Sequence, residues 1–324
     1  MPKSQYKTFD RSKITLFPFD KRVSDLSLHT FPETKPVQKH LKNKNLTDLS
    51  RLIIEAKKNN ASVVLMMGAH VIRSGVSPLI IDLMEKGFIT HIAMNGAGPI
   101  HDFELTRFGK TTESVAKYIK SGQFGLWKET GEINDIINKA YQNKIGLGEA
   151  IGKHINNSNY KYKNLSILEA GYRLKVPVTV HVGIGYDIIH EHPNCSGAAL
   201  GDTSYRDFLI FANTITNLEK GVLLCFGSAV MGPEVFLKAL SMARNVSKKT
   251  RKPVNNFTTA VFDLYNIDSK YGREARKTDP RYYFRPWKTL LVRTVSNGGG
   301  SFYFNMKHAE SIPSLHYLLT NLKK

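Results

Sequence analysis

Towards its C-terminal end the chain reads Asp279-Pro280-Arg281-Tyr282-Tyr283-Phe284-Arg285-Pro286-Trp287-Lys288, a run in which aromatic rings and guanidinium groups crowd around one primary amine. Aromatic walls beside a lysine suit a cationic or planar substrate. Burial against Trp287 and the nearby charge of Arg285 would both disfavour the ammonium form of Lys288, the condition for an amine to act as an imine-forming nucleophile. The same composition also suits an aromatic corner whose lysine reaches out to water.

Further segments follow apolar runs and could face a ligand. Gly68-Ala69-His70-Val71-Ile72-Arg73-Ser74-Gly75 closes one run with small residues and offers His70 and Arg73, the latter to a phosphate. Asn95-Gly96-Ala97-Gly98-Pro99-Ile100-His101-Asp102 carries two glycines that let backbone amides approach a phosphate or sugar, with a carboxylate behind them. It lacks the third glycine of the G-x-G-x-x-G fingerprint, and a plain strand-to-helix turn with Asp102 as a cap fits it equally. Gly227-Ser228-Ala229-Val230-Met231-Gly232-Pro233-Glu234 has the form of a phosphate or ribose cradle leading into a helix with proline in its first turn.

The densest set of titratable groups is His181-Val182-Gly183-Ile184-Gly185-Tyr186-Asp187 followed by His190-Glu191-His192. On a strand, His190 and His192 would share a face, as zinc ligands can. Gly183 and Gly185 argue instead for a loop that hugs an organic ligand, no distal ligand set accompanies the histidines, and no metal is expected.

Groups held in this way need strands that end on one side of a sheet. Apolar β-rich runs at 62–67, 89–94, 176–182, 221–226, 258–262 and 289–295 predict strands. Amphipathic stretches at 78–86, 112–120, 132–141, 165–174, 205–218, 233–244 and 311–322 predict helices between and after them. The alternation predicts an α/β fold, a doubly wound, mostly parallel sheet with helices on both faces. Ligands of such sheets bind beyond the carboxyl ends of the strands, where these loops fall.

Residues 1–44 are polar, basic and proline-containing, which predicts an extended arm of the kind that packs on a neighbouring subunit. Residues 45–324 contain no linker-like break and predict one large domain. With 41% hydrophobic and 23% charged residues the chain can bury a sizeable core. No stretch approaches the ~20 apolar residues that cross a bilayer, and the first residues lack the apolar core of a signal peptide, so no membrane partner and a cytoplasmic location are expected. Cys195 and Cys225 stand apart, without disulfide or zinc spacing. The net charge of +19 is spread along the chain without a nucleic-acid-binding motif, which predicts a solvated basic surface rather than a nucleic-acid partner.

Taken in order, GAHVIRSGVSPLIIDLMEKGFITHIAMNGAGPIHDFE, VPVTVHVGIGYDII, GVLLCFGSAVMGPEVF and RPWKTLLVR resemble the deoxyhypusine synthase family, in particular its prokaryotic deoxyhypusine-synthase-like branch, from about Val63 onward. The resemblance implies a Rossmann-like subunit, NAD as cofactor and a homotetramer with active sites at subunit interfaces. It also implies a transferase that oxidises spermidine, holds the aminobutyl group as an imine on a lysine and passes it to an acceptor amine, a protein lysine or a small diamine such as putrescine. An NAD-dependent enzyme of the same fold acting on a different amine is the alternative.

Position by position, the implied nucleophile is Lys288, with Trp287 beside it. The implied cofactor contacts are Ala69, His70, Val71, Ile72, Ser74, Gly96, Ala97, Gly98, Asp102 and Gly227. The implied substrate contacts are Asp187 and His181, with Glu274 and Asp279 standing in for the acidic residues that precede the lysine. The family's catalytic histidine falls near Pro233, where none stands, and the glycine that usually separates the tryptophan from the lysine is absent.

Overall fold

The computed structural model describes residues 4–31, 34–267 and 271–322. Its strands are β1 (Ser24–Ser27), β2 (Val63–Met67), β3 (His91–Asn95), β4 (Lys110–Glu113), β5 (Val178–His181), β6 (Val222–Phe226), β7 (Thr258–Asp263) and β8 (Gly300–Asn305). Its helices are α1 (Gln38–Leu41), α2 (Lys44–Lys58), α3 (His70–Arg73), α4 (Ser77–Glu85), α5 (Ala97–Phe108), α6 (Val115–Tyr118), α7 (Glu132–Asn143), α8 (Leu147–Asn156), α9 (Ile167–Leu174), α10 (Gly197–Ile215), α11 (Met231–Thr250) and α12 (His308–Asn321).

Among the described residues six strands form one sheet in the order β5-β3-β2-β6-β7-β8, every neighbouring pair parallel. Counted within the sheet, this is the 3-2-1-4-5-6 order of the Rossmann fold. The chain first builds outward through β2, β3 and β5, then returns to the middle and builds the other way through β6, β7 and β8. The direction reverses between β2 and β6, and the crevice at such a reversal is where this architecture receives ligands.

The residues of β2 and β6 are buried throughout, so these strands read as continuous apolar runs rather than as alternating ones. Val63, Leu65 and Met67 enter one apolar cluster with α2, α4, α5 and α12. Val64 and Met66 face the opposite cluster, built with α10 and α11. Both faces of the sheet are therefore covered, as the doubly wound expectation requires.

One expected strand is a helix. Residues 289–295 fall largely in a π-helix, Trp287–Arg293, whose Trp287, Leu290 and Leu291 cover the sheet on the α11 side. The run is apolar all round, so periodicity cannot separate a buried strand from a buried helix there. The edge strand is instead β8, whose start is masked in sequence by three consecutive glycines. The expected helix at 112–120 is divided between β4 and the short α6.

Part of the basic segment expected to form the arm, residues 17–27, makes contacts within this chain. β1 pairs antiparallel with β4, Phe19 is buried with Tyr118 and Trp127, and the Arg22 guanidinium makes a bidentate, fully buried ion pair with Glu104 of α5 at 2.7 and 2.8 Å. Thr111 and Thr130 donate to the same carboxylate. An ion pair taken out of water in this way holds only when the remaining lone pairs are satisfied, as they are here. Among the described residues no helix is long and apolar enough to cross a membrane.

Candidate functional site

A cleft of about 660 Å³ opens at the carboxyl ends of β2, β3, β5 and β6. That is within the roughly 300–1,000 Å³ of small-molecule and cofactor sites. Gly68, Asn95, His181 and Gly227 form its floor, one from the end of each strand, and Ala97, Met231 and Asp187 form its walls.

The glycines are required by close approach within the protein. A β-carbon on Gly68 would lie 2.5 Å from the Gly227 carbonyl oxygen, and Gly227 itself has φ +58 with His308 Nε2 2.5 Å from the site of its missing β-carbon. The amino-terminal ends of α5 and α11 reach the cleft at Ala97 and Met231, and first-turn amides have no intrahelical acceptor. Such amides suit phosphate oxygens. Asn95 lines the same floor with its Oδ1 buried and without a hydrogen-bond partner among the described residues. A dinucleotide offers phosphates to the amides and hydroxyl or carboxamide donors to Asn95, so the residues present fit NAD.

Asp187 supplies the charge. A β-carbon on Gly96 would meet its Oδ2 at 2.0 Å, so the carboxylate lies directly on the glycine turn. The carboxylate caps the short turn that follows it, accepting from the His190 amide, no Lys or Arg among the described residues pairs with it, and burial pushes its pKa up to about 6. The ring of the same histidine brings its Nε2 to 3.9 Å from Oδ2. The His190 Nδ1 accepts from the amides of Gly185 and Asp187 at 3.1 and 3.2 Å, which leaves the proton of the neutral ring on Nε2. A carboxylate kept largely out of water with no cationic partner is suited to receive a cation.

The other residues singled out from the sequence divide sharply. Gly96, Ala97, Gly227, His181 and Asp187 all line the cleft. His181 is 7% exposed, contacts Thr179 Oγ1 at 3.0 Å, and burial pushes its pKa down to about 4. Ala69 is buried next to the Gly68 turn, and Gly98 is spent on packing, since a β-carbon there would fall 2.6 Å from Met94 Sδ. Val71 and Ile72 point into the core, while His70 is exposed, with its Nε2 3.2 Å from Arg73 Nη1, and Ser74 Oγ donates to the His70 carbonyl at 2.8 Å.

Asp102 is remote from any ligand. It is 1% exposed and accepts from Ser166 Oγ and from the Ile167 and Leu168 amides, so it holds the first turn of α9 rather than a ribose. Burial pushes its pKa up to about 6. Glu274 is bound bidentately by Arg293 at 2.7 and 2.9 Å, and Asp279 by Arg281 at 2.6 Å, so both carboxylates are already neutralised. These arginines hold both carboxyl pKa values below their ordinary range.

Lys288 is 8% exposed, and its Nζ rests 4.0 Å from the Tyr282 ring centroid. Among the described residues it has no ion-pair or hydrogen-bond partner, and it is not part of the cleft wall. Trp287 beside it is buried, its indole donating to the carbonyls of Tyr271 and Arg273 at 3.0 and 3.1 Å. The chain alone therefore brings the glycine turns, His181 and Asp187 together and leaves Lys288 apart from them.

Sequence reasoning missed Asn95, Ser228 and His308. Asn95 stood inside the quoted loop, but an asparagine after a strand signals nothing by type. Ser228 Oγ accepts from the Gly232 amide at 2.9 Å and so fixes the start of α11. His308 begins α12 with its Nδ1 buried and unpartnered, and burial pushes its pKa down. It brings an imidazole to the Gly227 turn from a distant part of the sequence.

No family model and no curated protein matches the chain. Among solved structures it is similar to a protein of Methanococcus maripaludis S2 described as LOR/SDH, at 14% identity and a TM-score of 0.50, covering 90% of this chain and 74% of that one. It is similar to unliganded AgrE at 13% identity and a TM-score of 0.51, covering 89% of this chain. The chain spans about a third of the length of AgrE. A protein of Entamoeba histolytica described as a deoxyhypusine synthase superposes at 10% identity and a TM-score of 0.42, covering 96% of this chain and 98% of that one. At these identities the likeness concerns the fold, and the chemistry has to be argued from the cleft.

Proposed function

We propose that the chain is an NAD-dependent enzyme acting on an amine substrate in the cleft between the Gly68, Gly96 and Gly227 turns. The observation that carries this is Asp187, a largely buried carboxylate directly on the Gly96 turn with no Lys or Arg partner among the described residues. An ammonium group is the ligand that completes it. NAD, when bound, would supply a hydride acceptor for oxidation at the carbon bearing the amine. The amides that begin α5 and α11 and the Asn95 Oδ1 would hold it. Asp187 would anchor the amine and orient that carbon, and the Gly183-Ile184-Gly185 turn would close over both. His181, which lines the cleft and is kept neutral by burial, would exchange protons rather than repel a cation.

The test is calorimetric titration of the NAD-saturated protein with small amines. Asp187→Asn keeps the shape and removes the charge, and is expected to weaken amine binding by about tenfold or more. Equal binding by both proteins would remove Asp187 from the site.

A second, finer reading is aminobutyl transfer from spermidine through an imine on Lys288. It is favoured by the state of that lysine, buried on an aromatic face with no carboxylate partner among the described residues, the setting in which an amine serves as a nucleophile. Since Lys288 is outside the cleft wall of its own chain, this reading requires a second copy to bring the two together, as the homotetramer implied by the family resemblance would. Borohydride trapping with spermidine and NAD decides it. A mass increase on Lys288 supports it, and an adduct that persists in Lys288→Ala rejects it.

A further inference from the structure

Past Asp187 the cleft adjoins a second chamber of about 210 Å³, floored by one face of α5 and walled by β4. Ala97, Tyr186 and Asp187 line both spaces. The acceptors of this chamber on α5 and β4 are already satisfied. Glu104 takes Arg22, Thr111 and Thr130, and Glu113 takes the Trp127 indole at 2.7 Å and the Gly125 amide at 3.1 Å.

Two of its possible donors are not. Among the described residues Arg73 Nε is buried with no partner, although Nη1 lies 3.2 Å from His70 Nε2. Thr112 Oγ1 is likewise buried and unpartnered, on a residue held at φ +64. A β-branched residue enters that region only under strain, and such strain gathers at ligand sites. Among the described residues Arg73 pairs with no carboxylate and Asp187 with no Lys or Arg, its nearby His190 ring being held below the usual histidine pKa by burial, so the chamber keeps a guanidinium and a carboxylate that no opposite charge of the chain offsets.

We propose that the substrate is an amine that also bears a carboxylate, its ammonium on Asp187 and its carboxylate in the second chamber on Arg73 Nε and Thr112 Oγ1. The proposal rests on the reading of the cleft as an amine site and adds to it the class of amine. A carboxylate has the lone pairs to accept from both donors at once. A bare polyamine carries only donors there, would leave both groups unsatisfied, and would set further positive charge near Arg73. The chamber is too small for a nucleotide and large enough for an acid group.

The experiment compares ligands that differ only by the carboxylate, L-lysine against cadaverine and L-ornithine against putrescine, titrated calorimetrically into the NAD-saturated protein. The carboxylated member of at least one pair is expected to bind about tenfold or more tightly than its partner. Arg73→Gln is expected to erase that difference and Arg73→Lys to restore part of it. The preference is read in the unsubstituted protein, so a variant that fails to fold leaves it measurable. Equal or tighter binding of the diamines, with that binding lost in Asp187→Asn, overturns the carboxylate proposal and leaves the amine site standing. Absence of binding by all four ligands overturns both, and marks the second chamber as a hydrated cavity.

Discussion

The α-carbon of Gly96 faces the carboxylate of Asp187 so closely that a β-carbon at position 96 would stand 2.0 Å from Oδ2 and 2.8 Å from Cγ. The glycine turn after β3 and the loop after β5 are thereby packed against each other, and the carboxylate proposed to receive the amine is positioned by a residue that has no side chain. Gly96→Ala should displace Asp187 and cost ~1–3 kcal/mol of stability by overpacking. Amine binding should fall in Gly96→Ala about as far as in Asp187→Asn, as read by calorimetric titration beside a denaturant curve. Amine affinity retained at the level of the unsubstituted protein would separate the two residues.

Burial pushes the Asp187 pKa from the ordinary 3.8 up to about 6. The folded value lies above the unfolded one, so this group stabilises the fold at low pH and loses that contribution as the pH rises through about 6. Amine capture needs the ionised form and runs the other way, tightening as the pH rises through about 6. His190, whose Nε2 is 3.9 Å from Oδ2, is pushed below the usual histidine value by burial. Titrations on either side of that pH should show the rise in the unsubstituted protein and a flat profile in Asp187→Asn.

Asp102 separates architecture from ligand binding. Asp102→Ala would leave the Ser166 hydroxyl and the Ile167 amide without their acceptor in a fully buried place, at a cost of ~2–3 kcal/mol. Denaturant unfolding should register the loss, while NAD affinity measured by calorimetry should be unaltered.

Arg22, just before β1, is tied to α5 through Glu104. Arg22→Ala strands the Glu104 carboxylate in the interior and should cost ~3–5 kcal/mol. Arg22→Met with Glu104→Leu removes both charges and should cost clearly less than the single change. Limited proteolysis should cut within residues 4–31 first in Arg22→Ala.

The legibility of this molecule from sequence followed the range of the interactions involved. Runs such as Val63–Met67 and Val222–Phe226 announce buried parallel strands because burial on both faces writes itself into consecutive apolar residues. Asp187 was legible because a carboxylate next to two glycines after a strand stands out against an apolar background. That Glu274 and Asp279 are paired with arginines was not legible, because such partners can be recognised only in three dimensions. The same holds for Asp102, whose partners at 166–168 are far along the chain. Helix α5 escaped notice because it is buried nearly all round, Asp102 and Glu104 included, so it shows no apolar stripe. The π-helix at Trp287–Arg293 was hidden by β-branched composition, and His308 by its distance from the Gly227 turn it meets.

The central claim, an NAD-dependent reaction on an amine anchored by Asp187, is tested most directly by following NADH absorbance after adding amines to the protein with NAD. The account predicts that NADH appears with at least one amine and that its rate falls about a hundredfold in Asp187→Asn, the loss of a charge-assisted contact at a reacting centre. NAD bound without NADH from any amine, or an Asp187→Asn protein as active as the original, would contradict it.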